Sequence, residues 1–226
     1  MTGGNQNERK NRPKKSRRNI LKVAGVTAAS LVGVSTMGSV SAQSRDGPDT
    51  DFNPKNRDEV VGFLNDVDEK PEEQHQEYAK ELSKRQKQAI GDLYANVEWE
   101  YSTQTEGVVK TQSGYEPEKE TTTATGKVLG FGPVYDHIQI LEWEHNGDEY
   151  RNADQTLDYN LKGPFATFKG KTKDEIDGNG YEFTATLKAK YAASIGGVER
   201  GGEAVIKTTG DATGDFAVDK KKAPTG

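Results

Sequence analysis

Tyr181-Glu182-Phe183-Thr184-Ala185-Thr186-Leu187-Lys188-Ala189-Lys190-Tyr191 alternates apolar and polar side chains without a break. A strand points successive side chains to opposite faces, so this stretch has one dry face and one wet face. That is the pattern of an antiparallel sheet packed on one side. Working outward, Leu157, Tyr159 and Leu161 alternate with Asp158, Asn160 and Lys162, and Val97, Trp99, Tyr101 and Thr103 alternate with Glu98, Glu100, Ser102 and Gln104. Turn chemistry separates the runs. Asn146-Gly147 divides Ile138–Glu144 from Glu149–Arg151 as a tight hairpin, Asp177-Gly178-Asn179-Gly180 precedes the quoted strand, and Gly196-Gly197 and Gly201-Gly202 bracket another connection. About eight strands between residues 97 and 219 predict an antiparallel β-sandwich or open barrel, with short turns favouring a meander. The glycine-bearing run from Thr105 to Thr123 reads as a mobile loop.

Upstream the period changes. Asn56 and Glu59 make a capping pair, and Val60, Val61, Phe63, Leu64 and Val67 form one apolar helical face. Pro71 ends or restarts that helix. From Glu72 to Tyr94, Tyr78, Leu82, Ala89, Ile90 and Leu93 recur at helical spacing in an otherwise polar stretch, a stripe too narrow to stand without a packing partner. The expected organisation is therefore a leader at 1–42, a disordered spacer at 43–55, a helical segment of one or two helices at 56–95, the β domain at 96–219 and a disordered tail at 220–226.

The leader is basic, with eight Lys or Arg against one acid. Ser16-Arg17-Arg18-Asn19-Ile20-Leu21-Lys22 is followed by an uncharged run from Val23 to Val40, and then by Val40-Ser41-Ala42 before Gln43. This arrangement resembles the twin-arginine export signal, in the form carried by secreted proteins of halophilic archaea. The resemblance covers residues 1–42 only. It implies Arg17 and Arg18 as the export motif, cleavage between Ala42 and Gln43, and transit of an already folded protein to the cell surface or medium. It also implies the Tat translocase and a signal peptidase as partners during export, with no stable membrane span left after cleavage. Gly25, Thr27, Ser30, Gly33 and Ser35 dilute the uncharged run too heavily for a good anchor.

Removing the leader leaves 23 basic and 35 acidic residues, a net charge of −12. Such a surface repels nucleic acid and anionic membrane, and suits solubility in concentrated salt. The chain has no cysteine, which excludes disulfides, thiol nucleophiles and a lipid anchor on a thiol. Only 31% of residues are apolar, so the core must be thin.

Few residues suggest chemistry. His75 lies in a polar helical stretch and reads as solvated. His137 and His145 share one strand face with Gln139, Leu141 and Trp143 between them, about 26 Å apart at roughly 3.3 Å per residue, too far for one metal ion. Asp136, Glu142 and Glu144 share the other face with Ile138 and Ile140. An i, i+2 carboxylate pair meets the spacing for sugar hydrolysis, although a solvated strand face carries the same pattern. Glu175-Ile176-Asp177 resembles the start of the Glu-Ile-Asp-x-Glu motif of jelly-roll β-glucanases, but Asn179 stands at the fifth position and flanking glycines predict a turn. The same residues fail as an EF-hand loop, since Lys173 falls where the first aspartate belongs. No metal or cofactor is expected. Trp99, Tyr101, Trp143 and Tyr159 are the candidate binding residues, as a stacking platform for sugars or the wall of an apolar cavity, unless they form the core. Three functions fit: a non-enzymatic module binding a ligand or an envelope partner, an extracellular hydrolase of glycan or ester, and a secreted antimicrobial protein.

Overall fold

The computed structural model describes residues 50–106 and 114–219. The export motif, its cleavage site, most of the spacer and the C-terminal tail lie outside the described residues. Among the described residues three helices, α1 (Arg57–Asp68), α2 (Glu72–Glu81) and α3 (Lys84–Ala95), precede eight strands. These are β1 (Glu98–Thr105), β2 (Glu116–Val128), β3 (Gly132–His145), β4 (Tyr150–Leu161), β5 (Ala166–Gly178), β6 (Glu182–Ile195), β7 (Val198–Asp211) and β8 (Phe216–Val218). They form two antiparallel four-stranded sheets, β1-β2-β3-β4 and β5-β6-β7-β8, each a meander in chain order. The architecture is a β-sandwich, with no closed barrel.

Both strong hairpin signals act through one device. Asn146 Oδ1 accepts from the amides of Asp148 and Glu149, Asn179 Oδ1 accepts from those of Tyr181 and Glu182, and Gly147 and Gly180 follow at φ +93° and +92°. Gly196 and Gly197, both at positive φ, turn β6 into β7. Three expectations are corrected. The glycine-rich stretch at Gly201-Gly202 is no connection but lies inside β7, where a Cβ on Gly201 would collide with the Tyr191 carbonyl of β6. Glu175-Ile176-Asp177 closes β5 as strand, and the turn is Asn179-Gly180. The expected loop at Thr105–Thr123 becomes strand from Glu116, because β3 supplies a full ladder of partners that overrides the weak local pattern of Glu116–Glu120.

The expected second helix is two. Leu82 leaves the helix with ψ 139°, and Ser83 starts α3 in a capping box with Gln86. The Gln86 amide reaches back to the Thr50 and Phe52 carbonyls at 2.8 and 3.0 Å, and Phe52 is buried against Phe63 with ring centroids 4.9 Å apart. The chain expected as a disordered spacer is thus strapped to the helices from Thr50 onward.

The helices stop one end of the sandwich. Val60, Leu64, Ile90 and Tyr94 join Val134 and Tyr135 of the first sheet and Tyr191, Ala193 and Ile195 of the second in one apolar cluster. Gly91 brings α3 close, since a Cβ there would stand 2.8 Å from Arg200 Cβ on β7. At the far end Leu141, Trp143, Phe183 and Ala185 form a second, smaller cluster. Between the two the interior is polar: Thr122, His137, Gln139, Gln155 and Thr208 are all buried. Such a belt holds only if its members bond one another. Gln139 Nε2 donates to Gln155 Oε1 at 2.7 Å, Thr208 Oγ1 donates to Gln139 Oε1 at 3.1 Å, and the Gln155 amide donates to Asp174 Oδ1 and to the Glu175 carbonyl of β5.

Candidate functional site

The candidate aromatics separate by burial. Trp143 is 2% exposed, edge-on to Phe183 and stacked with Phe216, and its Nε1 donates to the Asp211 carbonyl at 3.2 Å. Trp99 stacks on buried Tyr135 with centroids 6.2 Å apart, and Tyr101 Oη donates to the Val205 carbonyl across the sandwich at 3.0 Å. These three bind the fold together. Tyr159 alone keeps an open face, at 40% exposure, and stacks on Phe168 at 4.2 Å. The four are dispersed over β1, β3 and β4.

Residues of catalytic type are engaged in structure. Glu142 pairs with Lys119 at 3.4 Å, Glu144 with Arg151 at 2.5 Å, and buried Asp136 with Lys162 at 2.6 Å and with Thr125 Oγ1 at 2.9 Å. His137 is fully buried between Tyr191 Oη and the Leu187 carbonyl, and burial pulls its pKa down to about 4, with the Leu187 carbonyl pulling weakly the other way. A neutral ring protonated on Nε2 meets both partners, donating to Leu187 and accepting from Tyr191. His145 lies 3.5 Å from Glu118 Oε1. His75, expected in solvent, is 7% exposed. Its Nδ1 lies 3.1 Å from the Pro164 carbonyl and its Nε2 3.0 Å from the Lys70 carbonyl, tying the α1–α2 turn to the β4–β5 connection. Tertiary contact with the sheets buried a face that its own polar helix could not reveal. Among the described residues no group of three or more His, Cys, Asp or Glu could hold a metal ion. No helix there is long and apolar enough to cross a membrane.

One surface feature gathers side chains from three segments of the chain. An open groove of about 720 Å³ runs between the strapped segment Asn53-Pro54-Lys55, the start of α1 and the outer side of α3. Its floor is apolar, from Pro54, Val60, Ala89 and Leu93, and its rim carries Lys55, Arg57, Arg85, Gln88 and Asp92. Local chemistry builds the walls. Asn56 caps α1 by accepting from the Asp58 amide, Glu59 accepts from the Asn53 amide at 2.7 Å and from Asn56 Nδ2 at 2.6 Å, and Gln86 anchors the strap. The rim acid Asp92 is neutralised by an ion pair with Arg200, while Arg57 Nη2 donates to the Leu129 carbonyl at 3.0 Å. Two of the four arginines among the described residues, Arg57 and Arg85, line this groove, and a third, Arg200, is paired with Asp92 of its lining. The side chains of Lys55 and Arg85 make no ion pair or hydrogen bond within the described residues. The stripe Ala89–Leu93 was legible in the sequence only as a helix face. The cations on it were indistinguishable there from a solvated surface.

No family model, curated protein or solved structure matches this chain.

Proposed function

We propose that this chain is an exported, non-enzymatic binding module that acts at the cell surface or in the medium and takes an anionic ligand in the groove between α1 and α3. The observation that carries this is the pairing of a 720 Å³ groove with two uncommitted cations, Lys55 and Arg85, on its rim. The volume lies in the range of small-molecule and oligosaccharide sites, about 300–1,000 Å³. Arginine presents a rigid fork of donors that matches carboxylate or sulfate, and close contacts of this kind persist where salt screens longer-range attraction. Gln88 supplies an amide for hydroxyl groups, and Val60, Ala89 and Leu93 receive the apolar face of a sugar ring or a short aliphatic segment. The expected ligand is an acidic saccharide of an envelope or its surroundings. Full engagement of Glu142, Glu144 and Asp136 by cations supports binding over hydrolysis. The twin-arginine resemblance supplies the address.

Isothermal titration with an oligogalacturonate, a sulfated oligosaccharide and a neutral cello-oligosaccharide tests this. An acidic probe is expected to bind and the neutral one is not. Lys55→Gln together with Arg85→Gln is expected to weaken binding by about 100- to 10,000-fold without loss of thermal stability, since each charge-assisted contact contributes about 1.5–3 kcal/mol. Failure of both acidic probes, or equal affinity in the double variant, contradicts the assignment.

A further inference from the structure

Two buried side-chain oxygens of β2, Glu120 Oε2 and Thr122 Oγ1, have no hydrogen-bond partner among the described residues. Glu120 is 5% exposed and Thr122 1% exposed, and both lie on the face of β2 that turns toward the second sheet, in line with Ala124 and Val128. No Lys, Arg or His pairs with Glu120 among the described residues. The next acid on the same face, Glu118, is turned to His145 Nε2 at 3.5 Å. A buried carboxylate facing no positive charge is among the least favourable arrangements a protein core can hold, so something must balance it.

The strand register shows what surrounds it. Across the ladder from Glu120 stand Thr105 on β1 and the apolar Leu141 on β3, and across from Thr122 stand Thr103 on β1 and Gln139 on β3. Directly opposed residues on one face hold their Cβ atoms about 4.5–5.5 Å apart, so the side chains of Thr103 and Thr105 stand beside those of Thr122 and Glu120. The Gln139 amide is already engaged at both atoms, its nitrogen donating to Gln155 and its oxygen accepting from Thr208, so it offers no donor to the two orphaned oxygens. Thr103 and Thr105 are exposed, so the β1 edge opens a path from solvent. The set presents oxygen atoms and one carboxylate, and no Lys, Arg or His of the described residues is paired with it.

We propose that Glu120 and Thr122 hold a monovalent metal cation, Na⁺ or K⁺, between the two sheets, with hydroxyls of β1 and water completing its shell. Oxygen-only ligands suit hard cations, and a single carboxylate neutralises one positive charge. A water molecule in the same place would satisfy the hydrogen bonds but leave the charge of Glu120 unbalanced. The cation would link β1 to β2 at the start of the polar belt, making the sandwich sensitive to the ion present rather than to ionic strength alone. This inference is independent of the groove and its ligand.

The test is thermal unfolding of the purified protein in NaCl, KCl and choline chloride at matched ionic strength. Na⁺ or K⁺ is expected to raise Tm above the choline value by about 5 °C in a saturable manner, as binding to the folded state alone requires. Glu120→Gln and Thr122→Val should each remain folded and lose that gap. A thallium(I) soak of wild-type crystals needs no variant and is expected to give an anomalous peak between Glu120 and Thr122. Equal Tm in choline and metal salts, a gap retained in Glu120→Gln, or an ordered water with no anomalous signal would overturn the proposal. Saturation by micromolar Ca²⁺, with Na⁺ and K⁺ inert, would overturn the monovalent assignment.

Discussion

Acidification should weaken this fold through His137. The ring is wholly buried, with Nδ1 3.1 Å from Tyr191 Oη and Nε2 3.3 Å from the Leu187 carbonyl, and burial holds its pKa at about 4. In the unfolded chain an imidazole titrates near about 6.5. The folded value is the lower of the two, so below about pH 6.5 the unfolded state takes up a proton that the folded state refuses. The stabilising contribution is complete above about pH 6.5, falls as pH drops, and is fully lost below about pH 4. Integrated between about pH 7 and about pH 4.5, the loss is about 2.5 kcal/mol. Urea unfolding at the two pH values, for the wild type and for His137→Gln, isolates this term. Every other ionisable side chain is common to both proteins, and glutamine offers both a donor and an acceptor. The variant is expected to be less stable at neutral pH but to lose about 2.5 kcal/mol less on acidification. Equal losses in the two proteins, or an imidazole resonance of His137 that titrates near about pH 6.5 in the folded state, would refute the reasoning.

Further expectations follow from the packing. Gly210→Ala places a methyl group 2.5 Å from Phe183 Cζ in the smaller cluster, and the overpacking should cost about 1–3 kcal/mol in thermal or urea unfolding. Ser83→Ala removes the capping box of α3 and should cost about 1 kcal/mol, with faster amide exchange at Gln86 and in the strap from Thr50 to Phe52. Gln155→Leu leaves buried Gln139 Nε2 without its partner inside the polar belt and should destabilise by about 1–3 kcal/mol, measurable as a lower urea midpoint. Arg17→Lys with Arg18→Lys should trap the protein inside the producing cell with residues 1–42 attached, read by mass spectrometry of cell and medium fractions. Normal secretion of that variant would remove the twin-arginine assignment.

The sheets were legible where alternation was strong. The period of two in Tyr181–Tyr191 located β6 and its buried face, and the Asn-Gly and Gly-Gly turns placed both hairpins and the meander. Glu116–Glu120 was not legible, because a strand assembled from charged residues is specified by its partner β3 rather than by its own pattern. His75 and Phe52 were misplaced for a related reason. Burial of each depends on an element far away in sequence, the Pro164 connection for one and Phe63 and Gln86 for the other. The polar belt could be glimpsed in Gln139 lying between His137 and Leu141 on one strand face, but its bonds to Gln155 and Thr208 join three strands from two sheets. The groove was not visible at all. Lys55 and Arg85 are thirty positions apart, and only the Gln86 strap and the capping of α1 bring them to one rim.

The most direct test of a binding role for the groove is native mass spectrometry of the protein recovered from its producer's medium, alongside Lys55→Glu/Arg85→Glu prepared in the same way. The wild type is expected to carry a discrete acidic adduct that collisional activation releases, and the variant to fly bare. A bare wild type, or the same adduct on both proteins, would contradict a ligand site between α1 and α3.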